Sequence, residues 1–473
     1  MIDIPRTLMH TWARFGAAWL PFADVATPQM PLSRLLRLSL FQVSVGMVLV
    51  LLVGTLNRVM IVELGVPASL VAIMLALPVV FAPLRALIGF RSDNHRSALG
   101  WRRVPYIWKG TLVQFGGLAI MPFALLVLSG GGESSQWPSW LGPAGAGLAF
   151  LVVGAGIHIT QTAGLALATD LAPTAARPKV VGLMYVAQLF GMMFSAMVFG
   201  ALLDEYSPAR LVQVVQGAAV ATIVLNLLAL WKQETRNRAL RSTPVGIATF
   251  QDAWACYRQG SHALRRLVVV ALGTLAFGMQ DVLLEPYGGQ VLGLGVGATT
   301  QLSATLALGG LLGFALASRV LGRGGDALRM ALAGALLGVP AFAAVILSAP
   351  WQSPMLFALG VWGVGFGAGL FAHGTLTTTM NQATPEQTGL ALGAWGTVQA
   401  TVAGVAVGLG GIVHDSVMAF SAGTATLPLH GGTPRVSVTA YTTVYGIEIL
   451  LLMATAVAMA PLLQRRAAQP VPL

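Results

Sequence analysis

Residues 64–69 read Leu64-Gly65-Val66-Pro67-Ala68-Ser69, and residues 294–299 read Leu294-Gly295-Val296-Gly297-Ala298-Thr299. The two hexapeptides start 230 residues apart, at 64 and 294. Each opens an apolar stretch long enough to cross a membrane. Each stretch closes on a short segment of Gly, Arg and Asp: Gly89-Phe90-Arg91-Ser92-Asp93 in one case, Gly322-Arg323-Gly324-Gly325-Asp326 in the other. Gly154-Ala155-Gly156 and Gly367-Ala368-Gly369 form a further corresponding pair. The chain therefore repeats itself in parallel order, and the repeating unit is about half its length.

Working outward, the composition fits such a repeat only in lipid. Of 473 residues, 56 % are apolar and 9 % are charged. A soluble domain carries roughly 25 % charge, so a soluble protein of this size is excluded. Disorder needs low hydrophobicity. A disulfide scaffold needs paired cysteines, and there is one, Cys256. The 56 glycines suit close helix–helix approach in a bilayer.

Twelve spanning segments are expected, near 38–62, 68–90, 105–129, 144–168, 180–203, 209–231, 266–291, 297–319, 329–349, 353–378, 388–413 and 438–462. They are long and uniformly apolar, whereas a barrel would show short alternating segments. The fold class is therefore all-α and polytopic. The net charge of +11 is concentrated in the N-terminal segment, the even-numbered connections and the C-terminal tail. The positive-inside rule puts these in the cytoplasm, both termini included. The basic balance thus signals topology, and no nucleic-acid partner is expected.

Two six-helix halves in parallel order, joined by a long basic loop, form the major facilitator architecture. The expected divisions are 1–37 as a cytoplasmic amphipathic segment, 38–231 as the first half, 232–265 as a cytoplasmic linker, 266–462 as the second half and 463–473 as a tail. Gly89, Asp93, Arg102 and Arg103 resemble the signature that the superfamily carries between its second and third helices. Its Asp and Arg are suited to pairing with helix ends. The N-terminal stretch lacks the apolar core of a signal peptide. Trp12, Phe15 and Trp19 share one helical face there, and Phe250 and Trp254 form a second stripe in the linker. Both read as helices lying on the membrane surface and contacting its lipids, with docking of a partner as the alternative.

Ionisable residues inside spans mark functional hypotheses. They are Arg58, Arg85, Asp281, Glu285 and Glu448. Asp281 and Glu285 are four apart, which places them on one helix face. Pro286 and Gly288-Gly289 predict a break near the outer end of the seventh helix. The 230-residue offset sets Arg58 and Glu285 at similar depth, which predicts a gate pairing Arg58 with Glu285 or Asp281. His158 and His373 lie on the fourth and tenth helices, with Gln161 nearby in sequence. A neutral imidazole suits the magnesium of a chlorophyll-type macrocycle. Hydrogen bonding to a neighbouring helix is the plainer reading of each histidine. No phosphate loop, HExxH, CxxC or nucleophile–base pair occurs, so neither a metal site nor catalysis is expected.

Three strings are more specific. They are Gly54-Thr55-Leu56-Asn57-Arg58-Val59-Met60-Ile61-Val62-Glu63-Leu64-Gly65-Val66-Pro67-Ala68, the run from Phe81-Ala82-Pro83-Leu84-Arg85 to Tyr106-Ile107-Trp108, and Asp281-Val282-Leu283-Leu284-Glu285-Pro286-Tyr287-Gly288-Gly289-Gln290-Val291-Leu292. They resemble the PucC/LhaA family, the bacteriochlorophyll-delivery branch of the major facilitator superfamily in purple phototrophic bacteria. The resemblance spans nearly the whole chain. It implies a non-enzymatic assembly factor in the inner (intracytoplasmic photosynthetic) membrane. Such a chaperone hands bacteriochlorophyll, bound transiently as cargo, to light-harvesting antenna α/β polypeptides, or holds those polypeptides. Bacteriochlorophyll synthase and the membrane insertion machinery are further implied partners. The alternative from the residues alone is a proton-coupled secondary transporter of a small solute using Asp281 and Glu285.

Overall fold

The computed structural model describes residues 31–81, 88, 92, 101, 103–172, 177–233, 263–382, 388–422 and 435–467. Among these residues, eleven helices are long and apolar enough to cross a membrane, from Leu32–Glu63 to Val438–Leu463. A shorter apolar helix, Ala68–Val79, begins the expected second span. The protein is an all-helical, multi-pass membrane protein.

The first half starts with α1 (Leu32–Leu49), which continues through π-helical turns at Val50–Leu56 and Val59–Glu63. It goes on through α2 (Ala68–Ala76), α3 (Val104–Leu128), α4 (Leu141–Leu171), α5 (Arg177–Leu202) and α6 (Pro208–Leu230). In the second half, the first span is divided into α7 (Ala263–Gly278), a 3-10 turn at Met279–Val282, and α8 (Leu284–Gln290). Then come α9 (Val296–Gly322), α10 (Ala327–Ser348), α11 (Pro354–Gln382), α12 (Thr388–Ala422) and α13 (Arg435–Ala467).

Packing repeats span for span. In the first half α1 lies on α5 and α6, α3 lies on α4 and α6, and α4 meets the turn Leu77–Phe81 after α2. In the second half α7 lies on α12 and α13, α10 lies on α11 and α13, and α9 meets α11. The two halves are thus copies of one six-helix unit. They touch along two seams, α5 with α9 and α2 with α12.

The backbone also corrects the register of the repeat. Gly65 (φ 65°) and Gly293 (φ 66°) are both left-handed, a step of 228 residues. The helices that follow begin at Ala68 and Val296, again 228 apart. The same turn is closed by Val66 N–H to Met60 O at 2.9 Å and by Leu294 N–H to Gly288 O at 3.0 Å. The sequence match aligned Gly65 with Gly295, but Gly295 is extended (φ −66°) and caps α9. A left-handed residue wants glycine, and two glycines in one loop allowed the two-residue slip.

Each seam is close-packed at the end of the molecule that holds Arg58. Asp415 on α12 accepts the Ser69 N–H at the start of α2, at 2.7 Å. At the other seam, a Cβ on Gly297 would sit 2.6 Å from the Gly200 carbonyl, so only glycine permits this approach of α9 to α5. The expected surface helices, with Trp12, Phe15, Trp19, Phe250 and Trp254, lie outside the described residues, as do Arg85, Gly89, Asp93, Arg102 and Cys256.

Candidate functional site

The break in the seventh span organises the site. It falls at Met279–Val282, earlier than the Pro286-Gly288-Gly289 signal placed it. Pro286 instead sits in the first turn of α8, where its missing N–H is not needed. Backbone groups freed by the break are met by side chains. Glu448 on α13 accepts the Gln280 N–H at 2.7 Å. Asn57 on α1 donates to the Val282 carbonyl at 2.9 Å, and Gln280 Nε2 donates to the Phe277 carbonyl at 3.3 Å. Buried polar backbone in lipid must be paired in this way.

The break also separates the two acids that were expected on one face. Asp281 lies on the wall of a cavity between the halves. Glu285 is buried against α1 and α9, where its Oε1 accepts from Ser303 Oγ at 2.5 Å. Gly54, in the π-helical part of α1, faces this carboxylate: a Cβ there would lie 2.9 Å from Ser303 Oγ.

Arg58 does not make the expected ion pair with Glu285 or Asp281. Its Nη1 pairs with Glu63 on its own span, and its Nη2 donates to the Leu294 carbonyl at 3.2 Å. The corrected register explains this: a step of 228 takes Asn57 to Glu285 and Arg58 to Pro286. Arg58 therefore points past Glu285 to the turn before α9. Gly289 leaves room for it, since a Cβ there would lie 3.2 Å from Arg58 Nη2. With the Thr55–Thr300 contact at 3.4 Å, these bonds tie α1 to the second half at this end.

The cavity measures about 520 Å³, within the range of small-molecule sites. The lining from α9 and α11 is apolar, small at Ala307, Gly310, Gly365, Ala368 and Gly369 and bulkier at Leu306, Phe314, Val364 and Leu376. The lining also carries amides: Gln161 on α4, Gln188 on α5, Gln280 and Gln399, with Asp281 and Trp395. Gln161 Nε2 donates to Gln188 Oε1 at 3.0 Å and to Gln42 Oε1 at 3.4 Å, linking α1, α4 and α5. Trp395 Nε1 donates to Thr375 at 3.3 Å.

Of the three candidate pigment ligands, the wall contains Gln161 but neither imidazole. His158 is half-buried on α4. His373 packs its ring on Phe314, which lines the cavity, with centroids 4.1 Å apart. At the opposite end from Arg58, Arg103 opens α3 and bonds Asp170 at the end of α4 (3.1 Å) and Ser92 (2.6 Å). This is the helix-end pairing expected of the signature arginine.

The profile of a family described as PUCC protein matches residues 55–467. The chain belongs to the PucC family. It is 60 % identical over 422 residues to Protein PucC of Rhodovulum sulfidophilum, covering 88 % of this chain and 92 % of that one. It is 57 % identical over 457 residues to Protein PucC of Rhodobacter capsulatus, covering 96 % and 97 %. A more distant relative, 28 % identical over 451 residues (93 % and 97 %), is the bacteriochlorophyll synthase 44.5 kDa chain of Rhodobacter capsulatus. Among solved structures, a bacterial homologue of the human lysosomal transporter Spinster, inward-facing and unoccupied, has a TM-score of 0.65 at 15 % identity and covers 90 % of this chain and 95 % of that one. The fold of this PucC-family chain is thus the major facilitator fold.

Sequence reading passed over the family member's neutral polar groups. Gln42, Gln188, Gln280, Gln399, Asn57 and Ser303 organise the break and the cavity. Each lies in or beside an apolar span, and weighing buried amides as carefully as buried charges would have found them.

Proposed function

We propose that this protein is an assembly factor for bacterial light-harvesting antenna complexes. It delivers bacteriochlorophyll to antenna α/β polypeptides, or holds those polypeptides, in the inner photosynthetic membrane. Its role is non-catalytic, and the pigment is cargo. The observation that carries this reading is the cavity between the halves, in a chain of the PucC family. Its apolar lining, with small residues that leave room, suits an apolar ring, and its amides suit a polar edge. Gln161 is the pigment ligand this geometry favours, since an amide oxygen is a hard donor for magnesium. A relative named as a bacteriochlorophyll synthase chain supports a pigment-related role. Bacteriochlorophyll synthase and the membrane insertion machinery are further proposed partners.

The arginine-rich ends, with Arg34 and Arg103, face the cytoplasm in this reading, and so do both termini. A reporter active only in the cytoplasm should work when fused at the C-terminus and fail in the connection before α13. The function itself is tested by deleting the gene in a phototrophic host. Antenna content should fall while transcripts for pigment synthesis stay level. Unchanged antenna content would refute the proposal.

One observation favours a second reading, a proton-coupled transporter: Asp281 lies on the cavity wall. That reading requires solute uptake that an uncoupler dissipates and Asp281→Asn abolishes. Glu285, sealed behind Gly54 and Ser303, is not on this wall among the described residues.

A further inference from the structure

Three indoles and a lysine converge where α3 begins and α6 ends, at the arginine-rich end. Trp101 and Trp108 on one side, and Leu227, Leu230, Trp231 and Lys232 on the other, line a groove of about 420 Å³. It is separate from the central cavity. Trp231 and Leu227 are exposed on its flank, and Lys232 is exposed on its rim.

Lys232 is held in an unfavourable backbone. Its φ is 54°, one of two positive values outside glycine among the described residues. It directly follows Trp231, the residue that caps α6. Helices commonly end on a left-handed residue at this position, and glycine is the unstrained choice. Here the next residue, Gln233, fixes the turn. It is fully buried, accepts from Arg34 Nε at 3.2 Å and donates to the Arg34 carbonyl at 3.2 Å. The Arg34 guanidinium also bonds the Gln233 carbonyl. Residues strained in an over-determined setting cluster at binding sites. The strain at Lys232 keeps a cation on the groove where glycine would be easier.

The surroundings identify the occupant. Tryptophans with an apolar body and an N–H donor sit at the headgroup level of a bilayer. Lys109, one residue beyond Trp108, is a second exposed cation on α3 and lies 5.8 Å over the Tyr106 ring. We propose that the α3–α6 groove is a site for an anionic phospholipid, whose phosphate meets Lys232 and whose acyl chain lies along Leu227 and Leu230. Cationic side chains near a membrane surface draw anionic lipid in this way.

The test uses the full-length purified protein in native mass spectrometry, titrated with phosphatidylglycerol and with phosphatidylcholine of the same chains. Phosphatidylglycerol should bind more tightly than phosphatidylcholine. Lys232→Gly should weaken phosphatidylglycerol binding about fivefold, the worth of one surface cation. The same variant should keep or raise the thermal midpoint, because glycine suits the left-handed turn. Lys232→Arg should bind as the wild type does. Equal binding of the two lipids by the wild type, or full phosphatidylglycerol binding by Lys232→Gly, would overturn the proposal.

Discussion

At the residue scale, the informative groups are the few polar ones that lipid cannot solvate. Glu448 shows the logic. Its carboxylate accepts an N–H that the break in the seventh span leaves without a helical partner. Glu448→Gln keeps an acceptor at that point and should fold. Glu448→Leu orphans the Gln280 N–H and should cost about 1–3 kcal/mol. Thermal midpoints of the two variants in one detergent check this; equal losses would contradict the capping role. Gly54 is a second case, because its missing side chain is what admits the Glu285 carboxylate. Gly54→Val should destabilise by about 1–3 kcal/mol through overpacking, measured the same way. The sequence exposed Glu448 and Glu285 as buried charges, since such residues stand out in an apolar span. It did not expose their partners. Ser303 is neutral and Gln280 offers Glu448 only its backbone N–H, and which carboxylate each meets depends on tertiary placement. Arg58 was expected to bond Glu285 or Asp281, and it bonds Glu63 and the Leu294 carbonyl because the repeat is registered two residues away from its sequence match.

At the element scale, the spans and their order were legible because about 20 apolar residues leave few alternatives. The interruption in the seventh span was also legible, from Pro286 and its glycines, but its position was not. Proline is harmless in the first turn of a helix, so it marked the start of α8 rather than the break itself. The seams between the halves depend on helix ends. Asp415 reaches from α12 to cap the Ser69 N–H in the first turn of α2. A lost cap costs about 0.5–2 kcal/mol. Asp415→Ala should therefore lower the thermal midpoint, and Asp415→Asn, which keeps an acceptor, should recover most of the loss. A midpoint that Asp415→Ala leaves unchanged would remove the cap from the account of the seam.

At the scale of the whole molecule, two copies of one six-helix unit enclose a cavity of mixed lining. Apolar residues of α9 and α11 share its lining with amides and Asp281. The parallel repeat was visible in two hexapeptides, and the structure bears it out in matching helix pairings. The cavity was not visible, because its wall is assembled from six helices far apart in sequence. The histidines that looked like pigment ligands are set off that wall, while Gln161 is on it. The account therefore predicts that Gln161→Leu lowers pigment retention more than His373→Leu does, read as the pigment-to-protein ratio after purification. The most direct test of the central claim is one purification. The protein is extracted gently from phototrophically grown membranes, and its absorption spectrum and subunit content are recorded together. Bacteriochlorophyll bands and antenna α/β polypeptides in the same fraction are the predicted result. A colourless protein free of antenna polypeptides would contradict it.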